Sequence, residues 1–159
     1  MDAHTDLVDE HEDNKYSHAC VMKRVKELDN IANVVAVGIR SMAEEEKNNL
    51  EKAEVFFAHE LVGDEWILDV VDKLHANVYI TFDLDGLDSS VMPSTGTPEP
   101  GGLSWFQAVS LLKKVIDSRN VIGIDVVELC PLEGVHAPDY TAAKIVFKAL
   151  AYKYAKGEK

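Results

Sequence analysis

Asp2-Ala3-His4-Thr5-Asp6 sets three metal-type side chains at a spacing of two. In extended backbone, residues i, i+2 and i+4 share a side, so two carboxylates and an imidazole would converge there. Asp83-Leu84-Asp85 repeats the spacing directly after the apolar run 78–82. Two carboxylates on one face at a strand end repel each other and lose hydration, and a divalent cation is the simplest relief. Together the two motifs offer four carboxylates and one imidazole. That set suits Mn²⁺ ahead of Zn²⁺, Fe²⁺ or Co²⁺. Carboxylates able to bridge fit a pair of ions that activates a water. Each motif alone has a plainer reading, a solvated polar tail for the first and a turn for the second. Their joint presence argues for the metal.

Glu128 ends the run 121–127, where a carboxylate could hold a cationic substrate or simply mark the start of solvent. His18 has the chemistry of a general acid or base, or is an ordinary residue at a helix start. His11, His59 and His75 show no partner pattern, and His136 reads as structural. The acidic run Glu44-Glu45-Glu46 reads as a solvated helix face. Ser94, Thr95 and Thr97 lack any nucleophile motif, and there is no P-loop, dinucleotide-binding glycine pattern, C-x-x-C or H-E-x-x-H.

The elements that must carry these groups alternate along the chain. Helical periodicity is expected at 17–28, 64–74, with Asp64 as N-cap, 103–118 and from 137 onward. Ser41-Met42-Ala43-Glu44 reads as a capping box opening a helix to about residue 53. Apolar runs at 34–39, 55–58, 78–82 and 121–127 read as strands, and 83–102 is Pro- and Gly-rich and irregular. This order predicts an α/β fold, a three-layer αβα sandwich with a mostly parallel sheet. Ligand sites in such sheets lie outside the carboxyl ends of the strands. Asp83, Asp85, Glu128, His59 and Arg40 stand there, joined by Asp2, His4 and Asp6 if Met1 ends a strand.

The 159 residues, 47% of them apolar, suffice for one core. A net charge of −12 argues against nucleic acid or an anionic membrane surface as partner. No apolar run approaches a membrane span, the N-terminus does not read as a signal peptide, and two cysteines suit a reducing compartment. The expected location is the cytoplasm.

The same residues resemble the ureohydrolase family of arginases and agmatinases. Asp2-Ala3-His4-Thr5-Asp6 resembles its D-A-H-x-D motif. Thr81-Phe82-Asp83-Leu84-Asp85-Gly86-Leu87-Asp88, continued by Pro93-Ser94-Thr95-Gly96-Thr97-Pro98-Glu99-Pro100-Gly101-Gly102, resembles its long second signature, and Gly123-Ile124-Asp125-Val126-Val127-Glu128-Leu129 a third. The resemblance implies two manganese ions, bridged by Asp2 and Asp83. Asp6 would complete one ion's shell and hydrogen-bond the attacking hydroxide, and His4 and Asp85 would bind the other ion. Glu128 would pair with the substrate guanidinium and His18 would shuttle protons. The implied reaction is hydrolysis of a small cationic guanidino compound to urea and an amine. Val8 stands where arginases carry an Asn that meets the α-carboxylate, so agmatine, giving putrescine, is expected ahead of guanidinobutyrate or arginine. Ser89 replaces the family's usual Pro. Family members are about twice as long and take a further His ligand from a Gly-rich loop in the front half. Residues 1–159 are therefore expected to be a single arginase-like domain fragment, the C-terminal part of a domain truncated on its N-terminal side. The alternative is a catalytically incompetent fragment serving as a structural or regulatory subunit. Relatives assemble as symmetric homo-oligomers, and the same is expected here.

Overall fold

The computed structural model describes residues 1–51 and 53–155. Lys52, in the helix expected over 41–53, and residues 156–159, at the end of the expected domain, lie outside them. Runs rich in β-branched and aromatic residues form four strands: β1 (Val34–Ile39), β2 (Ala53–Phe57), β3 (Asn77–Asp83) and β4 (Asn120–Val127). Between and around them lie α1 (Val21–Lys26), α2 (Trp66–Lys73), α3 (Trp105–Ser118) and α4 (Ala137–Tyr154). The helix expected over 17–28 divides into a 3₁₀ turn at His18–Cys20 followed by α1. Ser104 starts α3 with reciprocal bonds: its Oγ accepts from the Gln107 N–H at 3.2 Å, and the Gln107 Oε1 accepts from the Ser104 N–H at 3.0 Å.

Both strand pairings are parallel, as the alternation of strand and helix requires. Val78, Ile80 and Phe82 of β3 point into a core with Ala108, Leu111, Leu112 and Val115 of α3, Trp66, Ile67, Val70 and Val71 of α2, and Ala142, Ile145 and Ala149 of α4. The two-residue spacing on the strand and the i, i+3, i+4, i+7 spacing on the helix present these side chains to each other.

Two expectations change. The sheet is not continuous: β1 pairs with β2 and β3 with β4, as two separate two-stranded ladders. Between β1 and β3 runs a cavity of about 1050 Å³, lined by both strands, by Val21 and Val25 of α1 and by Leu111, Leu112 and Val115 of α3. The backbone at Met1–Ala3 links the ladders: Asp2 N–H donates to Val37 O at 3.0 Å and Asp83 N–H to Met1 O at 3.0 Å. The capping box is displaced as well. A 3₁₀ helix begins only at Glu44, and Ser41 instead bridges to His4.

One face of the β3–β4 ladder is open, with Tyr79 58% and Ile122 65% exposed. Unpaired inner edges and an uncovered apolar face favour association with other chains. Light scattering of the purified chain is expected to show self-association above the monomer mass, and a monodisperse monomer across concentrations would contradict this reading of the open edges.

Candidate metal centre

Residues Asp2 to Asp6 run out of the position between the ladders with alternating burial. Ala3, Thr5 and Leu7 face inward, while Asp2, His4 and Asp6 are only partly buried. This is the period-two pattern expected of an extended segment. Asp6 has φ 53°, a left-handed conformation uncommon for a non-glycine residue. Its carbonyl accepts from the Met22 and Lys23 N–H groups at 3.1 Å each, which ties the segment to α1.

The second motif arrives on the end of β3. Asp83 caps the following turn, its Oδ1 accepting from the Asp85 N–H at 2.9 Å. Asp85 is almost fully buried, and its Oδ1 accepts from the Ala3 N–H at 3.1 Å. Its Oδ2 lies 3.0 Å from His4 Nδ1 and accepts from the Thr97 hydroxyl at 3.2 Å. Gly86 permits this approach: a Cβ there would stand 2.8 Å from the Asp2 nitrogen. Asp2, His4 and Asp85 each offer a ligand atom within 4.8 Å of the others. Asp6, Asp83, His18 and Glu128 line the same cavity, which also extends past these three residues. Asp2 and Asp83 therefore face one space, although Asp83 and Asp6 stand outside the tight triad.

The electrostatics are those of crowded acids. Burial, reinforced by the Asp2 charge, pushes Asp6 up to about 7 and raises Asp83 well above the ordinary carboxylate range. Burial acts on Asp85 in the same direction, but hydrogen bonds from His4 and from the Ala3 N–H hold it below its usual value. Bonds to Asp2 and Asp85 carry His4 to about 10. Without a metal, protons hold this cluster together. A divalent cation does the same work with hard oxygen donors and one imidazole, so the residues fit the group.

Glu128 is exposed at the rim, with φ 64°, and its Oε2 lies 3.9 Å from where a Cβ on Gly96 would sit. A left-handed glutamate at a strand end holds strain that aims its side chain at the cavity mouth. His18 is exposed, and its ring packs edge-on at 6.2 Å against His11.

Sequence reasoning missed one residue outright. Glu46, read as part of a solvated face, is 4% exposed. Its carboxylate accepts from the Thr5 hydroxyl, from the Leu7 N–H at 2.9 Å and from the Ala43 N–H at 2.6 Å. It pins the segment that carries Asp2, His4 and Asp6. Three glutamates in a row hide which one turns inward. The turn around Ser89 is held by Asp88, whose side chain accepts from the N–H groups of Ser90, Gly101 and Gly102 at 3.0, 2.7 and 3.1 Å.

The sequence profile described as Arginase family matches residues 1–152. Among curated proteins, the chain is 35% identical over 156 residues to the N(1)-aminopropylagmatine ureohydrolase of Synechocystis, covering 96% of this chain and 50% of that protein. It is 42% identical to the protein of the same name from Thermus thermophilus, covering 96% of this chain and 52% of that one. Among solved structures, agmatine ureohydrolase of Thermoplasma volcanium superposes with a TM-score of 0.87 at 31% identity, over 99% of this chain and 55% of that one. The chain thus spans about half the length of the relatives it matches. A profile match over nearly the whole chain, a shared α/β architecture and two acidic motifs meeting beside one cavity lead to one conclusion: this chain belongs to the arginase family.

Proposed function

We propose that this chain carries the metal-binding part of a ureohydrolase that cleaves a cationic guanidino compound of the agmatine type into urea and an amine. The observation that carries the reading is the meeting of Asp2, His4 and Asp85 within 4.8 Å, with Asp6 and Asp83 lining the same cavity. Asp2, His4, Asp6, Asp83 and Asp85 would hold two Mn²⁺ ions. When bound, Mn²⁺ supplies Lewis acidity and makes water a nucleophile near neutral pH. The chain's own residues do the rest. The Glu128 carboxylate at the rim meets the guanidinium and fixes its plane. The Asp6 carboxylate takes a hydrogen bond from the attacking water. The exposed His18 imidazole carries the proton to the departing amine. Val8 offers no polar contact to an α-carboxylate, and relatives named agmatinase and N(1)-aminopropylagmatine ureohydrolase point the same way, toward agmatine and its aminopropyl derivative.

Urea release from the Mn²⁺-loaded chain is the test, with agmatine, N1-aminopropylagmatine, arginine and guanidinobutyrate compared. The expected order puts the two agmatine-type substrates first, and arginine as best substrate would contradict the role given to Val8. The second reading, a fragment that binds metal without turnover and serves as a structural or regulatory subunit, draws on the unfilled space between β1 and β3. Mn²⁺ binding without urea from any of the four would favour it.

Proton release is a further expected result. Near neutral pH His4 and Asp83 hold protons that a metal must displace, and burial raises Asp6 toward the same range. Mn²⁺ affinity should therefore rise with pH between 6 and 8. Calorimetric heats at pH 7 should also differ between buffers of different ionisation enthalpy. Buffer-independent heats would contradict the protonated cluster.

A further inference from the structure

Arg40 stands immediately after β1, and its backbone and side chain address the two acidic motifs separately. The Arg40 N–H donates to Ala3 O at 2.9 Å, between Asp2 and His4. Its guanidinium turns to the other motif. Nη2 donates to Asp85 O at 2.7 Å, to Glu99 O at 2.7 Å and to Leu87 O at 3.2 Å, Nε donates to Pro100 O at 3.0 Å, and Nη1 to Gly38 O at 3.0 Å. All five partners are backbone carbonyls. Gly102 makes room for the group: a Cβ there would lie 2.6 Å from Nη2. A half-buried cation a few residues from crowded carboxylates would ordinarily pair with one of them, yet its donors are spent on gathering three stretches of chain.

We infer that Arg40 is a positioning residue that clamps the Asp83–Asp85 turn and the 99–102 segment against the Asp2–Asp6 segment, setting the geometry of the metal ligands without touching the metal or the substrate. This rests on the metal reading of the site. The planar fork of five donors is what the task needs. A lysine ammonium is a single point with three donors and cannot span carbonyls on Gly38, Asp85 and Pro100 together. Outer-shell groups that orient ligands are worth roughly 10–100-fold in metal affinity.

The test uses Arg40→Ala, Arg40→Lys and Gly102→Ala, with Arg119→Ala as comparison. Arg119 also donates to three backbone carbonyls, on Leu74, Ser118 and Val71, but far along the chain from either motif. In the metal-free proteins, hydrogen exchange is expected to speed up at residues 85–88 and 99–102 in all three site variants and to stay unchanged there in Arg119→Ala. In Mn²⁺ titrations, affinity is expected to fall about 10–100-fold in Arg40→Ala and Arg40→Lys alike, and to be kept in Arg119→Ala. Unchanged exchange at both stretches in Arg40→Ala, or full rescue by Arg40→Lys, would overturn the clamp. A wild-type chain that binds no Mn²⁺ would sink the metal reading instead, while the exchange data would still decide the clamp. If Arg40→Ala fails to fold, Arg40→Lys and Gly102→Ala carry the same two readouts.

Discussion

An Asp83→Asn variant is expected to bind Mn²⁺ at least about 100-fold more weakly than the parent, the upper end of what even an outer partner is worth. Urea release, where the parent shows it, should fall at least as far. Yet the metal-free variant should be no less stable than the parent. The two results follow from one fact. Burial and the Asp2 charge make the ionised Asp83 costly in the folded chain, so it holds its proton near neutral pH. Asparagine copies the neutral acid in shape and keeps an oxygen for the Asp85 N–H that Asp83 now accepts. What it cannot copy is the anion that a bound cation recruits. Thermal melts with and without Mn²⁺ check this directly. The parent should gain stability on adding metal and the variant should not. A variant that melts lower without metal but gains as much from Mn²⁺ would make Asp83 structural.

The second large effect lies at Glu46. Glu46→Ala leaves the Thr5 hydroxyl and the Leu7 and Ala43 N–H groups without their shared acceptor. Each orphaned buried donor costs about 1–3 kcal/mol, so a loss of roughly 3 kcal/mol or more is expected, against a total that for ordinary domains is about 5–15 kcal/mol. Glu46→Gln keeps one oxygen and should recover part of it. Denaturant titration measures both. The segment holding Asp2, His4 and Asp6 should lose hydrogen-exchange protection first. An Ala variant within about 0.5 kcal/mol of the parent, the range of ordinary surface changes, would contradict the pinning role.

The strands were legible because they are short runs rich in apolar β-branched and aromatic residues, and the two acidic motifs because their period-two spacing survives as alternating burial at Ala3, Thr5 and Leu7 against Asp2, His4 and Asp6. Where side-chain choice is made by tertiary contact, the sequence was silent. Nothing local distinguishes Glu46 from Glu44 and Glu45, and the inward turn comes from donors on Thr5 and Leu7, about forty residues earlier. Arg40 was marked only by its place after a strand, since its five carbonyl partners are distant in sequence or conformationally defined. The supposed capping box at Ser41 lost to a tertiary bond: the Ser41 N–H goes to Ala3 O at 3.0 Å. Glu128 was placed at the correct strand end, but an apolar run does not reveal that one sheet face is open, as Ile122 shows. The gap between β1 and β3 is a property of strand order, which periodicity does not encode.

Anomalous scattering from crystals of the Mn²⁺-loaded chain tests the central claim most directly, since it locates the ions independently of turnover. The account predicts manganese at the carboxyl ends of β1 and β3, with Asp2, His4, Asp6, Asp83 and Asp85 as its protein ligands. Manganese bound elsewhere, or a cluster still closed on its own protons at saturating Mn²⁺, would contradict it.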